Sequence, residues 1–244
     1  MKTLIYSLIF FICLYGIILG KEKCQIDVIK TSIGVLKIHF IGHGTLMFEI
    51  NDMVIHIDPF GRLYDYNKLP DADIILITHH HSDHFDVEAI KKIQKENTVI
   101  IYTKKCSKVL EGGKVLHNGD RIEVSGIKIE AVPAYNIVNK RDNGEPFHPK
   151  GEGNGYVLNI GDKRVYIAGD TENIPEMKVL KNIYIAFLPM NLPYTMTPEM
   201  VADAAKSFKP KILYPYHYGD TDPQKLLDLL KDEKRIEVRI RNMR

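Results

Sequence analysis

Cysteine is scarce in this chain, with three in 244 residues. Cys13 lies inside an apolar run, and Cys24 and Cys106 stand isolated from each other. Two such residues do not make the disulfide framework of a small stapled domain, and their spacing does not say whether they pair. No cysteine stands among the histidines, so thiolate ligation of a metal is not indicated. Basic clusters are missing too. Lys and Arg (33) nearly balance Asp and Glu (31), the net charge is +2, and the basic residues are scattered. That argues against a nucleic-acid surface. There is no low-complexity tract and no short repeat. Gly151, Gly153 and Gly155 are followed by no Lys-Ser/Thr pair, and no helix signal opens after them. They are therefore not a phosphate-binding loop. They read as a turn, or as a close approach of the backbone to a site.

What is present is an ordinary globular composition, 45% hydrophobic and 26% charged, long enough for one large domain or two small ones. The N-terminus departs from it. Met1-Lys2 precedes an apolar run from Leu4 to Leu19, then Gly20 and Lys21-Glu22-Lys23. A basic start, a short apolar stretch and a small residue read as a signal peptide over residues 1–20. The expected location is secreted or periplasmic. The run is shorter than the ~20 residues of a spanning helix. An uncleaved anchor over residues 4–19 is the alternative, and the only membrane contact expected. Charged residues before Cys24 argue against a lipid-modified cysteine.

From Val35 the pattern is strand-rich. Val35 to Ile41, Leu46 to Ile50, Met53 to Ile57 and Asp73 to Thr78 read as strands, with turn signals at Gly42-His43-Gly44 and Asn51-Asp52. Asp86 to Lys95 reads as a helix, with Val87, Ile90 and Ile93 on one face. Further strands follow at Val99 to Tyr102, Ile122 to Val124 and Ile127 to Val132. A polar, Gly- and Pro-rich stretch from Asn136 to Asn154 is the only candidate internal boundary, and long loops of this kind are often functional. Beyond it come strands at Tyr156 to Ile160, Val165 to Ala168, Ile183 to Leu188, Ile212 to Tyr216 and Ile236 to Ile240. Helices are expected from Pro198, capped by Thr197, to Phe208, and from Pro223 to Leu230. Two strand-rich halves with helices between them predict two packed sheets covered by helices, over residues 35–244.

The chemistry concentrates in "ITHHHSDHF", Ile77 to Phe85. His79, His81, Asp83 and His84 follow a buried strand and precede a helix. Alternation along a strand would aim His79 and His81 the same way and His80 elsewhere. Imidazole and carboxylate are the usual ligands of zinc and similar cations. Asp170 in "VYIAGDT" and His217 in "LYPYHYG" also stand just past strands. A carboxylate can bridge two cations and a single imidazole nitrogen cannot, so Asp170 is the bridging candidate and His217 a terminal one. His39 and His117 read as ordinary surface or hydrogen-bonded residues.

The T-H-x-H-x-D-H signature, "AGDT" and "PYHYG" resemble the metallo-β-lactamase superfamily. "GHGTLMFE", "IDPF", "PAYN", "GEGNGYVL" and "MNLPYTMTPE" resemble its branch of metal-dependent hydrolases, which includes ascorbate-6-phosphate lactonase-like proteins. The resemblance runs from Leu36 to the C-terminus. It implies an αββα sandwich of two mixed sheets with a dinuclear centre at one edge: His79 and His81 on one metal, Asp83, His84 and His217 on the other, Asp170 between them. It also implies that Asp58 orients the site. One departure stands out: where the superfamily places a third histidine on the first metal, this chain has Asn136. His148, within the long loop, is the expected replacement, with Asn136 plus water as the alternative. On that expectation His148→Ala cuts turnover sharply and Asn136→Ala does much less. His43, Tyr135 and Tyr194 are candidate cleft residues.

The implied reaction is hydrolysis of an ester, lactone or phosphodiester-type bond in a small-molecule substrate. Two divalent cations, zinc first, with manganese or iron as alternatives, would lower the pKa of a shared water toward ~7. Asp83 would orient that water. A ribonuclease of the same fold, a redox protein using iron, and a non-enzymatic binding module are the competing readings.

Overall fold

The computed structural model describes residues 24–244; the apolar N-terminal run, and the export reading attached to it, lie outside the described residues. Two seven-stranded sheets face each other. The first runs in chain order through β1 (Gln25–Thr31), β2 (Gly34–Gly42), β3 (Thr45–Ile50), β4 (Met53–Ile57), β5 (Ala72–Leu76), β6 (Gln94–Tyr102) and β7 (Lys114–Val115). The second is built from β8 (Arg121–Val124), β9 (Ile127–Ala134), β10 (Gly153–Ile160), β11 (Lys163–Ile167), β12 (Ile185–Pro189), β13 (Ile212–Tyr216) and β14 (Glu237–Val238), each strand beside the next. Each sheet starts as an antiparallel meander, over tight turns except between β9 and β10, which a long loop joins. Each turns parallel at β4–β5 and at β11–β12, where longer connections cross over.

Four helices cover the sheets: α1 (Val87–Ile93), α2 (Pro175–Lys178), α3 (Pro198–Phe208) and α4 (Gln224–Leu230). Asp86 caps α1 by accepting from the Glu88 and Ala89 amides, and Thr197 caps α3 through the Met200 amide. The run Ile74-Ile75-Leu76-Ile77 is apolar throughout because both faces of β5 are covered. Ile74 and Leu76 join the core between the sheets, with Ile38, Phe48, Leu158 and Phe187. Ile75 and Ile77 pack outward with Ile90 and Ile93 of α1. Val201, Ala205 and Phe208 of α3 close the opposite side. This is the αββα sandwich.

Besides the short β7 and α2, which the sequence pattern does not mark, three details differ from it. Strand β1 precedes Val35 and pairs along β2; its Ile26 and Val28 are exposed on an edge, so no buried face announces it. Helix α1 ends at Ile93, because Gln94 is already extended and opens β6. The stretch after Asn136 is not a boundary between domains: it folds back onto the second sheet, and the Asn136 amide donates to the His148 carbonyl at 2.8 Å. Cys24 and Cys106 are both free. Among the described residues no helix is long and apolar enough to cross a membrane.

Candidate metal centre

The chemistry-bearing residues leave the same ends of the two sheets. His43 follows β2, Asp58 follows β4, the histidine cluster follows β5, Asp170 follows β11 and His217 follows β13. A backbone bond from the His217 amide to the His43 carbonyl, 2.9 Å, ties the two sheet ends together. His43, Asp58 and His217 adopt left-handed backbone, with φ of 51°, 46° and 46°. Each such non-glycine position costs roughly 1–3 kcal/mol and persists where the surroundings impose it. Gly44 is required by proximity: a Cβ there would stand 2.7 Å from His84 Cε1 and 3.3 Å from His217 Cδ2. Strand β5 stops at Leu76, so His79 and His81 converge through a bend and not by strand alternation. His80 stays beside them, its ring 4.9 Å from that of His81, outside the donor groups.

Asp170 stands at the centre of the assembly. Its Oδ2 is 3.3 Å from His148 Nε2 and 3.5 Å from His217 Nε2, and its Oδ1 is 3.5 Å from His84 Nε2. On one side, His79 Nε2 and His81 Nδ1 are 3.0 Å apart and group with His148. On the other, Asp83 Oδ2 lies 3.7 Å from His84 Nε2 and 3.6 Å from His217 Nε2. Most of these separations are long for hydrogen bonds. They suit atoms sharing a cation, since two ligands ~2.1 Å from an ion at a tetrahedral angle lie ~3.4 Å apart. Four buried atoms here, Nε2 of His84, His148 and His217 and Oδ1 of Asp170, have no hydrogen-bond partner in the protein. Orphaned buried donors and acceptors are costly, and convergent ones point to a bound ion. The donor set fits divalent cations.

Behind the donors a hydrogen-bond layer fixes each ring. Asp58, fully buried, accepts from His84 Nδ1 at 2.7 Å, from the Thr78 amide at 2.7 Å and from Thr78 Oγ1 at 2.6 Å. Thr78 Oγ1 in turn accepts from His79 Nδ1 at 3.0 Å, so one carboxylate orients two histidines. Asn136 does the same for His148. Its Oδ1 accepts from His148 Nδ1 at 2.6 Å and from the His148 amide at 2.9 Å. Its Nδ2 donates to Glu172 Oε1 and to the Tyr194 carbonyl. Glu172, also buried, accepts in addition from the amides of Ile137, Val138 and Asn139. Asn136 and His148 are therefore not competitors for one place; the first holds the second.

Electrostatics follow from burial and these partners. Burial holds His79 well below its usual pKa, and burial with the neighbouring rings brings His81 down to about 4, so both are neutral donors. Burial opposes a charged His84, but Asp170, Asp58 and Asp83 outweigh it and raise the ring to about 10. Burial likewise opposes the Asp83 and Asp170 carboxylates. The nearby His217 ring, a hydrogen bond from His43 and the His84 ring hold Asp83 below the usual carboxylate range, and the His217, His84 and His148 rings around Asp170 do the same for it.

The donors open into a cleft of about 420 Å³, also lined by Ser82, Arg141, Phe147, Asn191 and Tyr194. His43 lines it and lies 3.0 Å from Asp83 Oδ2. Tyr194 lines it as well. Tyr135 does not: its hydroxyl donates to Glu176 and accepts from Lys150, and the ring is buried away from the cleft. Thr78, Glu172, Asn191, Arg141 and Phe147 escaped sequence reasoning. Thr78 was inside the histidine signature but read as strand. Glu172 stands two residues past Asp170, where only its burial marks it.

The comparisons agree with this geometry. The beta-lactamase superfamily domain profile matches residues 37–217. A UPF0173 metal-dependent hydrolase of Methanopyrus kandleri is 30% identical over 200 residues, covering 77% of this chain and 86% of that protein. A crystal structure of a metal-dependent hydrolase candidate from Parabacteroides distasonis superposes with a TM-score of 0.87 at 53% identity, covering 91% of this chain and 100% of that one. Igni18, a metallo hydrolase of Ignicoccus hospitalis, shares the fold with a TM-score of 0.71 at 24% identity, over 85% and 95% of the two chains. Buried convergent donors, two sheets ending at one edge and these relatives lead to one assignment: the chain belongs to the metallo-β-lactamase superfamily and is a metal-dependent hydrolase.

Proposed function

We propose that the chain hydrolyses an ester, lactone or phosphodiester-type bond of a small molecule at a centre holding two zinc ions. The observation that carries this reading is the position of Asp170, within 3.3–3.5 Å of His148 on one side and of His84 and His217 on the other. In this reading His79, His81 and His148 hold one cation, Asp83, His84 and His217 the other, and Asp170 reaches both. When bound, such cations supply Lewis acidity and a water acidic enough to ionise near neutral pH.

The chain's own residues do the rest. Asp83 is the more exposed of the two carboxylates, faces the cleft and stays ionised, so it can accept a proton from, and aim, the attacking water. His43 fixes the Asp83 carboxylate through Oδ2. Asp58 and Asn136 hold the rings in the tautomer that leaves Nε2 free. Phe147 and Tyr194, edge-on with centroids 5.1 Å apart, wall the cleft and displace bulk water.

Elemental analysis of purified protein, with a panel of bis-p-nitrophenyl phosphate, lactones and thioesters, tests the reading. Two zinc ions per chain and turnover of one class are expected. One ion per chain, or an Asp170→Asn variant that keeps both ions and full turnover, sinks it. Export is a separate proposal resting on residues 1–20. Native protein that begins at Met1 in a soluble cytosolic fraction contradicts it.

A further inference from the structure

The loop that brings His148 to the cluster also brings a positive charge to the cleft. Its tip closes on itself: Lys140 bridges Pro146, the Arg141 amide donates to the Glu145 carbonyl at 2.8 Å, and the Gly144 amide donates back to the Arg141 carbonyl at 2.9 Å. This small turn sets Arg141 and Phe147 on the wall of the cleft that contains His81, Asp83, His148 and Asp170. The guanidinium lies over the Phe147 ring, 5.1 Å from its centroid, and Nη2 donates to the Phe147 carbonyl at 3.4 Å. Phe147 is braced in turn by Tyr194. The arginine is thus held at the wall by an aromatic face and one weak bond.

No carboxylate pairs with Arg141 among the described residues, and its remaining N–H groups have no partner there. The two acids lining the cleft are Asp83 and Asp170, and both are committed to the cations under the function proposed above. With those cations bound, the cleft presents positive charge at its floor and a second, separate positive charge on its loop wall. Arg141 is exposed, so its remaining N–H groups face the solvent of the cleft, and a guanidinium fork matches carboxylate and phosphate oxygens in pairs.

We propose that the substrate carries, apart from the bond cleaved, an oxyanion, carboxylate or phosphate monoester, that pairs with Arg141, making this residue the specificity determinant of the cleft. The proposal rests on the metal-dependent reading of the floor. It also ties two tasks to one loop: ordering the loop through His148 brings the anion-binding arginine into place.

The test uses the zinc-loaded full chain and two probe series, α,ω-dicarboxylates from succinate to pimelate and ω-phosphonocarboxylates of the same lengths, with acetate as reference. Binding is followed by calorimetry, and bound zinc is counted in every variant. In the wild type at least one two-ended anion binds more tightly than acetate. Arg141→Gln lowers that affinity by about 10- to 100-fold, the range for loss of a charge-assisted contact, and leaves acetate binding and zinc content alone. Arg141→Lys keeps part of the gain, because charge survives and the fork does not. Which series gains more distinguishes carboxylate from phosphate. If no two-ended anion exceeds acetate, or if Arg141→Gln weakens acetate and the two-ended anions equally, the assignment of Arg141 is wrong. A wild type that binds no zinc instead overturns the reading of the floor, and the proposal with it.

Discussion

Replacing Asn136 by alanine should weaken one cation and spare the other. Asn136 is buried and its side chain makes four bonds: it accepts from the ring and amide of His148 and donates to Glu172 and the Tyr194 carbonyl. Truncation does not strand the Glu172 charge, which keeps three backbone amides. It does leave His148 Nδ1–H without its acceptor, and the ring is then free to turn or to move its proton to Nε2, the atom that faces Asp170. Loss of an orienting partner behind a ligating histidine costs about 10- to 100-fold in metal affinity, or about 1.4–2.7 kcal/mol. Unpaired buried groups add a stability loss of about 1–3 kcal/mol. The expectation from sequence, that Asn136→Ala would do little beside His148→Ala, is therefore revised: both act on the same ion. Zinc titration against a chromophoric chelator should resolve two sites in the wild type. Asn136→Ala should weaken one, His148→Ala should abolish the same one, and Asn136→Ala should add nothing to metal binding in a His148→Ala background. Asn136→Asp keeps an acceptor for His148 but sets an oxygen against Glu172 Oε1, now 3.1 Å from Nδ2, so it should be the least stable of the series. A folded Asn136→Ala protein with both affinities unchanged, or with both lowered equally, refutes the reasoning.

Asp58→Asn should weaken both cations, by about 10-fold or more each, because this carboxylate orients His84 directly and His79 through Thr78; an effect confined to one site in the same titration would count against it. Gly44→Ala should disturb the ion held by His84 and His217 before the other, since the added Cβ falls 2.7 Å from His84 Cε1; unchanged zinc content and affinity would show that the backbone gives way instead. Asp27 predicts an acid-side stability effect: burial opposes its charge, but Tyr214, Arg241 and Arg239 outweigh that and lower its carboxyl pKa. A depressed pKa means the contribution is complete above the unfolded value of ~3.9 and is lost as pH falls below it through the folded value. Urea midpoints of wild type and Asp27→Asn should differ by a constant amount from pH 7 to about pH 5 and converge below about pH 4; a gap that widens on acidification would be the wrong sign.

The strands were legible where burial on a face repeats. Leu36, Ile38 and Phe40 alternate along β2, and the unbroken run through Ile77 marks β5 as covered on both sides. Strand β1 was not legible, because an edge strand with Ile26 and Val28 in solvent leaves no face to read. The donors were legible for a chemical reason: imidazoles and carboxylates concentrated just past apolar strands have few other uses. What orients them was not. Thr78 meets Asp58 across 20 residues, and Asn136 meets His148, Glu172 and the Tyr194 carbonyl across 12, 36 and 58, and no local spacing encodes such a meeting. His148 shows where the line falls. Its absence from the usual position could be read from Asn136, and its return through the loop could be anticipated. That the asparagine would become its support depended on the carbonyl of His148 receiving the Asn136 amide while the Asn136 side chain receives the His148 ring. That reciprocal pairing puts the two residues side by side in space. It fixes His148, twelve residues further along the loop, against the end of the strand that Asn136 follows.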